Sequence, residues 1–125
     1  IDYSNIPGCT YCQPQVGSLG MTEEQALSSG FKVKIGRFSF QASGKAMAIG
    51  NTIGFVKLIF DEKYGELLGA HIVGSEATEM IAELGMAKAL ESTWDDLSMT
   101  VHAHPTLSEA IMEAAMDAQG YSIHQ

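Results

Sequence analysis

The feature that most constrains this fold is a pair of β-rich runs separated by a short charged turn. Residues 54–60 and 67–73 are rich in Val, Ile, Leu and Phe, and Asp61-Glu62-Lys63-Tyr64-Gly65 lies between them. Two such runs joined by a few charged and glycine residues predict a β-hairpin, because so short a connection joins only antiparallel neighbours. We therefore expect an antiparallel sheet built around this hairpin.

Two more strands are predicted on the N-terminal side of the hairpin. Phe31-Lys32-Val33-Lys34-Ile35 alternates between apolar and charged side chains, the period of a strand with one buried face. Gln15-Val16-Gly17-Ser18-Leu19 is also strand-like. Residues 1–13 contain Pro7-Gly8 and are predicted to be a loop leading into the domain.

Capping patterns and apolar periodicity predict helices between and after these strands. The predicted helices are a short one capped by Thr22 and closed by Gly30, a short one near 42–48, a longer one from Glu76 to about Glu91 capped by Gly74-Ser75, and a short one capped by Thr93. Hairpin-linked strands with helices around them predict an α+β domain, with a mostly antiparallel sheet and flanking helices, spanning residues 1–125 as a single domain.

Charge and hydropathy exclude several classes of partner. Fifteen acids against seven bases give a net charge of −8, which repels nucleic-acid backbones and anionic lipid surfaces. No apolar run approaches the roughly 20 residues of a membrane-spanning helix. Ile1 begins the sequence without the basic and apolar regions of a signal peptide. We expect no nucleic-acid or membrane partner and a cytoplasmic location, or the mitochondrial matrix in a eukaryote.

The clearest candidate catalytic residues lie in the stretch His102-Ala103-His104-Pro105-Thr106, which is followed by Glu109. Proline disfavours helical geometry at the residue before it, so both histidines are predicted on extended chain, with their side chains on opposite sides. Thr106 is the predicted N-cap of a last helix that ends at Gly120. Its predicted apolar face consists of Leu107, Ala110, Ile111, Ala114, Ala115 and Ala118.

Two hypotheses fit Glu109, which is predicted to be the third residue of this helix. In one, Thr106-x-x-Glu109 is a capping box whose carboxylate accepts from the Thr106 backbone N–H. In the other, Glu109 accepts from one ring nitrogen of His104, while the other nitrogen exchanges a proton with a substrate. The residues alone leave both open.

The nine residues from His102 to Ala110 resemble the C-terminal signature of the dihydrolipoyl dehydrogenases, flavin-dependent disulfide reductases of the 2-oxoacid dehydrogenase complexes. Glutathione reductases share His-Pro-Thr, but Leu107-Ser108-Glu109-Ala110 favours the lipoyl enzymes. The resemblance implies that His104 is the acid–base residue and that Glu109 orients it. It also implies that His102 is structural, with a backbone contact to the FAD of the partner subunit.

The resemblance covers all 125 residues and implies the C-terminal dimerisation domain of such a reductase. Expected partners are a second copy in a homodimer, FAD and NAD domains of the same longer chain, and lipoyl domains of the parent complex. The sequence has no G-x-G-x-x-G motif and no C-x-x-x-x-C pair. This piece alone is therefore expected to bind neither FAD nor NAD and to be inactive.

Alternatives remain at the level of sequence. The chain is also compatible with the corresponding domain of another flavin disulfide reductase, such as a glutathione reductase-like one, or with a non-catalytic dimerisation module. Cys9 and Cys12 form a single C-x-x-C without a second pair or a following helix start, so we expect reduced thiols and no metal site. His71 lies within a predicted strand and is expected to be structural.

Overall fold

The computed structural model describes residues 1–121, whose strands form one antiparallel sheet. The strands are β1 (Gly8–Thr10), β2 (Gln15–Gly20), β3 (Val33–Ser39), β4 (Phe55–Asp61) and β5 (Leu67–Gly74). Their order across the sheet is β1-β2-β5-β4-β3, and every neighbouring pair is antiparallel. The predicted mostly antiparallel sheet is confirmed.

The hairpin of β4 and β5 is at the centre of the sheet, as the sequence predicts. Phe55 pairs with Val73 at its open end. At the closed end the Asp61 N–H donates to the Glu66 carbonyl at 2.9 Å, and Gly65 has a positive φ of 75°. Glycine adopts this conformation without the clash of a Cβ, which is why a glycine belongs in the turn.

The described residues contain five α-helices. They are α1 (Glu23–Ser28), α2 (Gly44–Ala48), α3 (Ala77–Ala89), α4 (Trp94–Met99) and α5 (Glu109–Ala118). Two 3₁₀ turns cover Tyr3–Asn5 and Phe40–Ala42. This is the predicted α+β class. None of the helices found in residues 1–121 has both the length and the apolarity to cross a bilayer.

The two faces of the sheet carry unequal layers. The main core joins one face to α3, α4 and α5 through fully buried side chains such as Leu58, Ile72, Leu84 and Ile111. A smaller cluster on the other face centres on Ala26 of α1, with Ile59, Leu68 and the apolar side chains of 31–35. The larger layer is the one that places the candidate site, because α5 belongs to it.

The prediction that residues 1–13 form a loop is wrong in part. They were expected to be a loop, but β1 lies within them and pairs with β2, with Cys9 opposite Gly17. A three-residue edge strand has too short a pattern to be recognised, and its pairing partner is what makes it a strand. The strand predicted from Phe31 instead begins at Val33 and continues to Ser39.

The predicted starts of α1 and α4 are confirmed, whereas that of α3 is not. The Thr22 capping box is present, with the Gln25 N–H donating to Thr22 Oγ1 at 3.1 Å and the Thr22 N–H to Gln25 Oε1 at 3.0 Å. At α4 the Thr93 N–H donates to the Asp96 carboxylate at 2.8 Å. The predicted Gly74-Ser75 cap of α3 is wrong, because Glu76 is the N-cap and makes no side-chain capping bond.

Candidate acid–base site

The candidate site lies on the extended segment 100–108 between α4 and α5. The peptide bond between His104 and Pro105 is cis. The side chain of His104 is 79% exposed and that of His102 is 6% exposed. One histidine therefore faces solvent and the other faces the protein interior, in agreement with the predicted opposite orientations.

His104 and Glu109 are in direct contact. His104 Nδ1 lies 2.7 Å from Glu109 Oε1, a distance typical of a hydrogen bond assisted by charge. Since a carboxylate only accepts, Nδ1 is the donor. The second ring nitrogen, Nε2, is then the atom that can exchange a proton with a bound molecule.

Glu109 also makes the capping contact that the alternative hypothesis predicted. Its other oxygen, Oε2, accepts from the Thr106 N–H at 3.4 Å. That distance is long for such a bond, so the contact with His104 is the stronger of the two. The two hypotheses are compatible in geometry, because the two carboxylate oxygens have separate partners.

The start of α5 differs from the prediction. Thr106 is not the N-cap, because its hydroxyl donates to the Ala103 carbonyl at 2.7 Å. The helix begins at Glu109, with Ser108 as N-cap and without a side-chain capping bond. Glu109 is thus the first helical residue rather than the third. Its carboxylate still reaches back to His104, because a helical side chain leans toward the N-terminus.

Packing of the apolar face of α5 on the core determines the position of Glu109. The predicted face is confirmed: Ala110, Ile111, Ala114, Ala115 and Ala118 are buried and Leu107 packs against the core. The Gly36 backbone of β3 approaches so closely that a Cβ there would lie 1.9 Å from the Ala114 carbonyl oxygen. This tight packing ties the middle of α5 to β3.

A groove of about 240 Å³ lies beside the histidine–glutamate contact. Apolar side chains from β3, α2 and α5 line it, among them Phe38, Met47 and Met112. Both His104 and Glu109 also line this groove. His104 therefore borders a groove lined by apolar side chains together with Ser43 and Glu113.

His102 has a different environment from His104. Its Nε2 lies 2.8 Å from Glu83 Oε2 and its Nδ1 lies 3.0 Å from the Thr100 carbonyl oxygen. Sequence reasoning missed Glu83, which is in the middle of α3. Nothing in the local pattern links two residues separated by nineteen positions.

The remaining candidates do not assemble into a second site. Cys9 is half-buried against the core, whereas Cys12 is exposed and its Sγ lies 3.0 Å from the Pro14 carbonyl. His71 Nε2 contacts the Met21 carbonyl at 3.0 Å. No group of three His, Cys, Asp or Glu residues in the described chain is arranged to hold a metal ion.

The described residues do not fit a dinucleotide. FAD and NAD folds place the pyrophosphate at a helix N-terminus within a parallel βαβ unit. All strand pairs described here are antiparallel. The part of the chain that the structure describes therefore contains no dinucleotide fold of this kind.

Comparison with known proteins identifies close relatives. The family model for the pyridine nucleotide-disulphide oxidoreductase dimerisation domain matches residues 6–115. A dihydrolipoyl dehydrogenase of Rhizobium etli is 53% identical over 119 residues, covering 95% of this chain and 25% of that protein. One of Halobacterium salinarum is 47% identical over 124 residues, covering 99% and 26%. The chain thus spans about a quarter of the length of these relatives.

Solved structures agree in fold. The flavoprotein disulfide reductase RclA of Escherichia coli matches with a TM-score of 0.86 and 29% identity, over 91% of this chain and 26% of that one. LpdA of Mycobacterium tuberculosis matches with a TM-score of 0.87 and 21% identity, over 94% and 26%. The second likeness concerns the fold alone.

Proposed function

Because this chain belongs to the dimerisation-domain family of the pyridine nucleotide-disulphide oxidoreductases, we propose that it is the dimer-forming portion of a dihydrolipoyl dehydrogenase. The observation that carries the proposal is the 2.7 Å contact of His104 Nδ1 with Glu109, which leaves Nε2 as the exchangeable atom. Relatives named as dihydrolipoyl dehydrogenases support a lipoyl substrate over glutathione.

The chemistry proposed for this site is removal of a proton from a substrate thiol. A thiol ordinarily has a pKa of about 8.5 and is a nucleophile only as the thiolate. His104 Nε2 accepts the proton from dihydrolipoamide, and the resulting thiolate attacks a disulfide contributed by another portion of the enzyme. The Glu109 carboxylate stabilises the imidazolium so formed.

The other components of the enzyme lie outside this sequence. Separate domains of the parent chain would hold FAD and NAD⁺, which would supply the redox chemistry that accepts the electrons of the dithiol. Lipoyl domains of a 2-oxoacid dehydrogenase complex deliver the substrate. We place the enzyme in the cytoplasm, or in the mitochondrial matrix of a eukaryote. A net charge of −8 supports the absence of nucleic-acid and anionic membrane partners.

We further propose that the site is completed in a homodimer. His104 is 79% exposed in the single chain, and the apolar side chains of Met99 and Val101, close to it in sequence, are 79% and 95% exposed. A general base works best where water is excluded, and exposed apolar groups are typical of an interface. A two-fold dimer is the commonest closed assembly that would cover them.

The first prediction is that the full-length protein sediments as a dimer at micromolar concentration. Met99→Lys is expected to shift it toward monomer, because a charge is costly at an apolar contact. Leu27→Lys is the matched control, since Leu27 is 54% exposed on the other side of the sheet. A monomeric wild-type protein, or equal behaviour of both variants, would contradict the proposed interface.

The second prediction tests Glu109 and separates chemistry from capping. Glu109→Gln keeps an oxygen that accepts from the Thr106 N–H but removes the charge beside His104. If the charge stabilises imidazolium, reduction of the enzyme by dihydrolipoamide should slow by about tenfold or more, since each factor of ten is about 1.4 kcal/mol. Single-turnover absorbance of the bound flavin measures that rate.

The control for this variant is Glu24→Gln, which neutralises an exposed acid in the first turn of α1. It should leave the rate unchanged. A wild-type rate for Glu109→Gln, together with a small loss of stability, would make Glu109 a helix cap and no more.

A further inference from the structure

The buried histidine has an acceptor at each of its ring nitrogens. His102 Nε2 lies 2.8 Å from a Glu83 carboxylate oxygen and Nδ1 lies 3.0 Å from the Thr100 carbonyl oxygen. A neutral imidazole has one N–H, whereas the imidazolium has two. Each ring nitrogen of His102 therefore has a hydrogen-bond partner, and the donor and acceptor roles depend on the tautomer. The His102 side chain is 6% exposed and that of Glu83 is 34% exposed, so the histidine is the buried partner of this contact.

The contact between His102 and Glu83 joins α3 to the segment between α4 and α5. Glu83 is on α3, which packs against β2 and β5 in the main core. His102 is on the extended segment, two residues before His104. Within residues 1–121 no backbone-to-backbone hydrogen bond holds 101–106 to a helix or strand. The segment consequently depends on side chains for its position.

The side-chain contacts of the segment are of two kinds, local and long-range in sequence. Thr100 Oγ1 donates to the Asp96 carbonyl at 2.6 Å, and Thr106 Oγ1 donates to the Ala103 carbonyl at 2.7 Å. Both link near neighbours in sequence and shape the segment locally. The bond from His102 to Glu83 crosses to a distant helix and is the kind of contact that can fix the segment relative to the sheet.

We propose that Glu83 and His102 are positioning residues for the thiol reaction, holding the segment so that His104 meets its substrate. The proposal rests on the function proposed above for His104. His104 has one side-chain anchor on α5, at Glu109, and the contact of His102 with Glu83 supplies a second anchor on α3 through the backbone. Displacement of a base by about 1 Å is enough to slow a reaction about 10²-fold, so a second anchor has a large kinetic effect.

The test uses two substitutions of Glu83 in the full-length enzyme. Glu83→Ala removes the acceptor, and we expect dihydrolipoamide to reduce the enzyme about tenfold or more slowly. Glu83→Gln should restore most of the rate, because a glutamine amide N–H can donate to Nε2 of a neutral His102 while Nδ1–H still donates to Thr100. Reduction of the same enzyme by NADH, which does not need His104, should be unchanged in both.

A second measurement reports position without activity. Amide hydrogen exchange of a peptide covering 100–105 should be faster in Glu83→Ala than in wild type, and should return toward wild type in Glu83→Gln. Glu79→Ala, an exposed acid one turn earlier on α3, is the control and should change neither the rate nor the exchange. If Glu83→Ala does not accumulate as folded enzyme, His102→Gln is compared with wild type under the same two expectations.

The outcomes separate this inference from the proposed function. A His104→Gln enzyme that keeps the wild-type rate overturns the function. A slow His104→Gln enzyme alongside a Glu83→Ala enzyme of wild-type rate and exchange overturns only the positioning role. Equal slowing of the NADH and dihydrolipoamide reactions in Glu83→Ala would also overturn it, because that pattern belongs to general structural damage.

Discussion

Replacing His104 with glutamine is expected to slow reduction of the full-length enzyme by dihydrolipoamide by about 10²–10⁴-fold, the usual effect of deleting a general base. Glutamine keeps a polar side chain of similar reach, but its amide cannot accept a proton at neutral pH. The substrate then has to react through the small fraction of thiolate present in solution, since an ordinary thiol has a pKa of about 8.5.

Two comparisons make this result specific. His71→Gln replaces the histidine of β5, whose Nε2 contacts the Met21 carbonyl, and should leave the rate unchanged. Reduction by NADH should also be unaffected by His104→Gln, because hydride transfer requires no thiol deprotonation. A His104→Gln enzyme within a few-fold of wild type in the thiol reaction would remove His104 from the mechanism.

Replacing Gly36 with alanine is expected to be the most damaging single-methyl change in the α5 layer. The added Cβ would lie 1.9 Å from the Ala114 carbonyl oxygen and 2.9 Å from its carbon, both backbone atoms that cannot rotate away. Overpacking of this kind costs about 1–3 kcal/mol, and more where backbone must shift. α5 has to move away from β3, and Glu109 at its first turn has to move with it.

The measurements are the thermal midpoint of the full-length protein and the rate of its reduction by dihydrolipoamide. Both should fall in Gly36→Ala. Gly85→Ala is the matched control, because that glycine is inside α3 and its added Cβ would meet only Leu19 Cδ2, at 3.9 Å. There alanine should be neutral or stabilise by up to about 1 kcal/mol. Equal midpoints for the two variants would show that α5 has room against the sheet.

The sheet was the most predictable part of the fold. The β4–β5 hairpin, β2 and the apolar face of α5 were found because their periodicity is local and is set by which faces are buried. β1 was missed because three residues carry no period, and it is a strand only because β2 offers it an edge. The start of α5 was misplaced because the Thr106 hydroxyl, a good capping group in sequence, donates to the Ala103 carbonyl instead.

The candidate site, like the fold, could be predicted from the sequence only in part. Proline after His104 and an acid five residues on were compatible with either a capping box or a histidine–glutamate contact, because both residues belong to one loop-to-helix junction. Sequence alone could not choose between capping and proton transfer. The structure places the carboxylate 2.7 Å from His104 and 3.4 Å from the Thr106 N–H, so one group makes both contacts.

By itself the sequence determined the antiparallel hairpin and the α+β class, since each depends on residues close together along the chain. It left open whether Glu109 contacts His104 or only caps the helix. Only the tertiary structure decided that His102 is buried against Glu83 on α3, and that α5 lies within contact distance of the Gly36 backbone. The first contact joins residues 83 and 102, which are 19 positions apart. The second joins residues 36 and 114, which are 78 positions apart. No local period encodes such a contact, because it exists only once the helices have packed on the sheet.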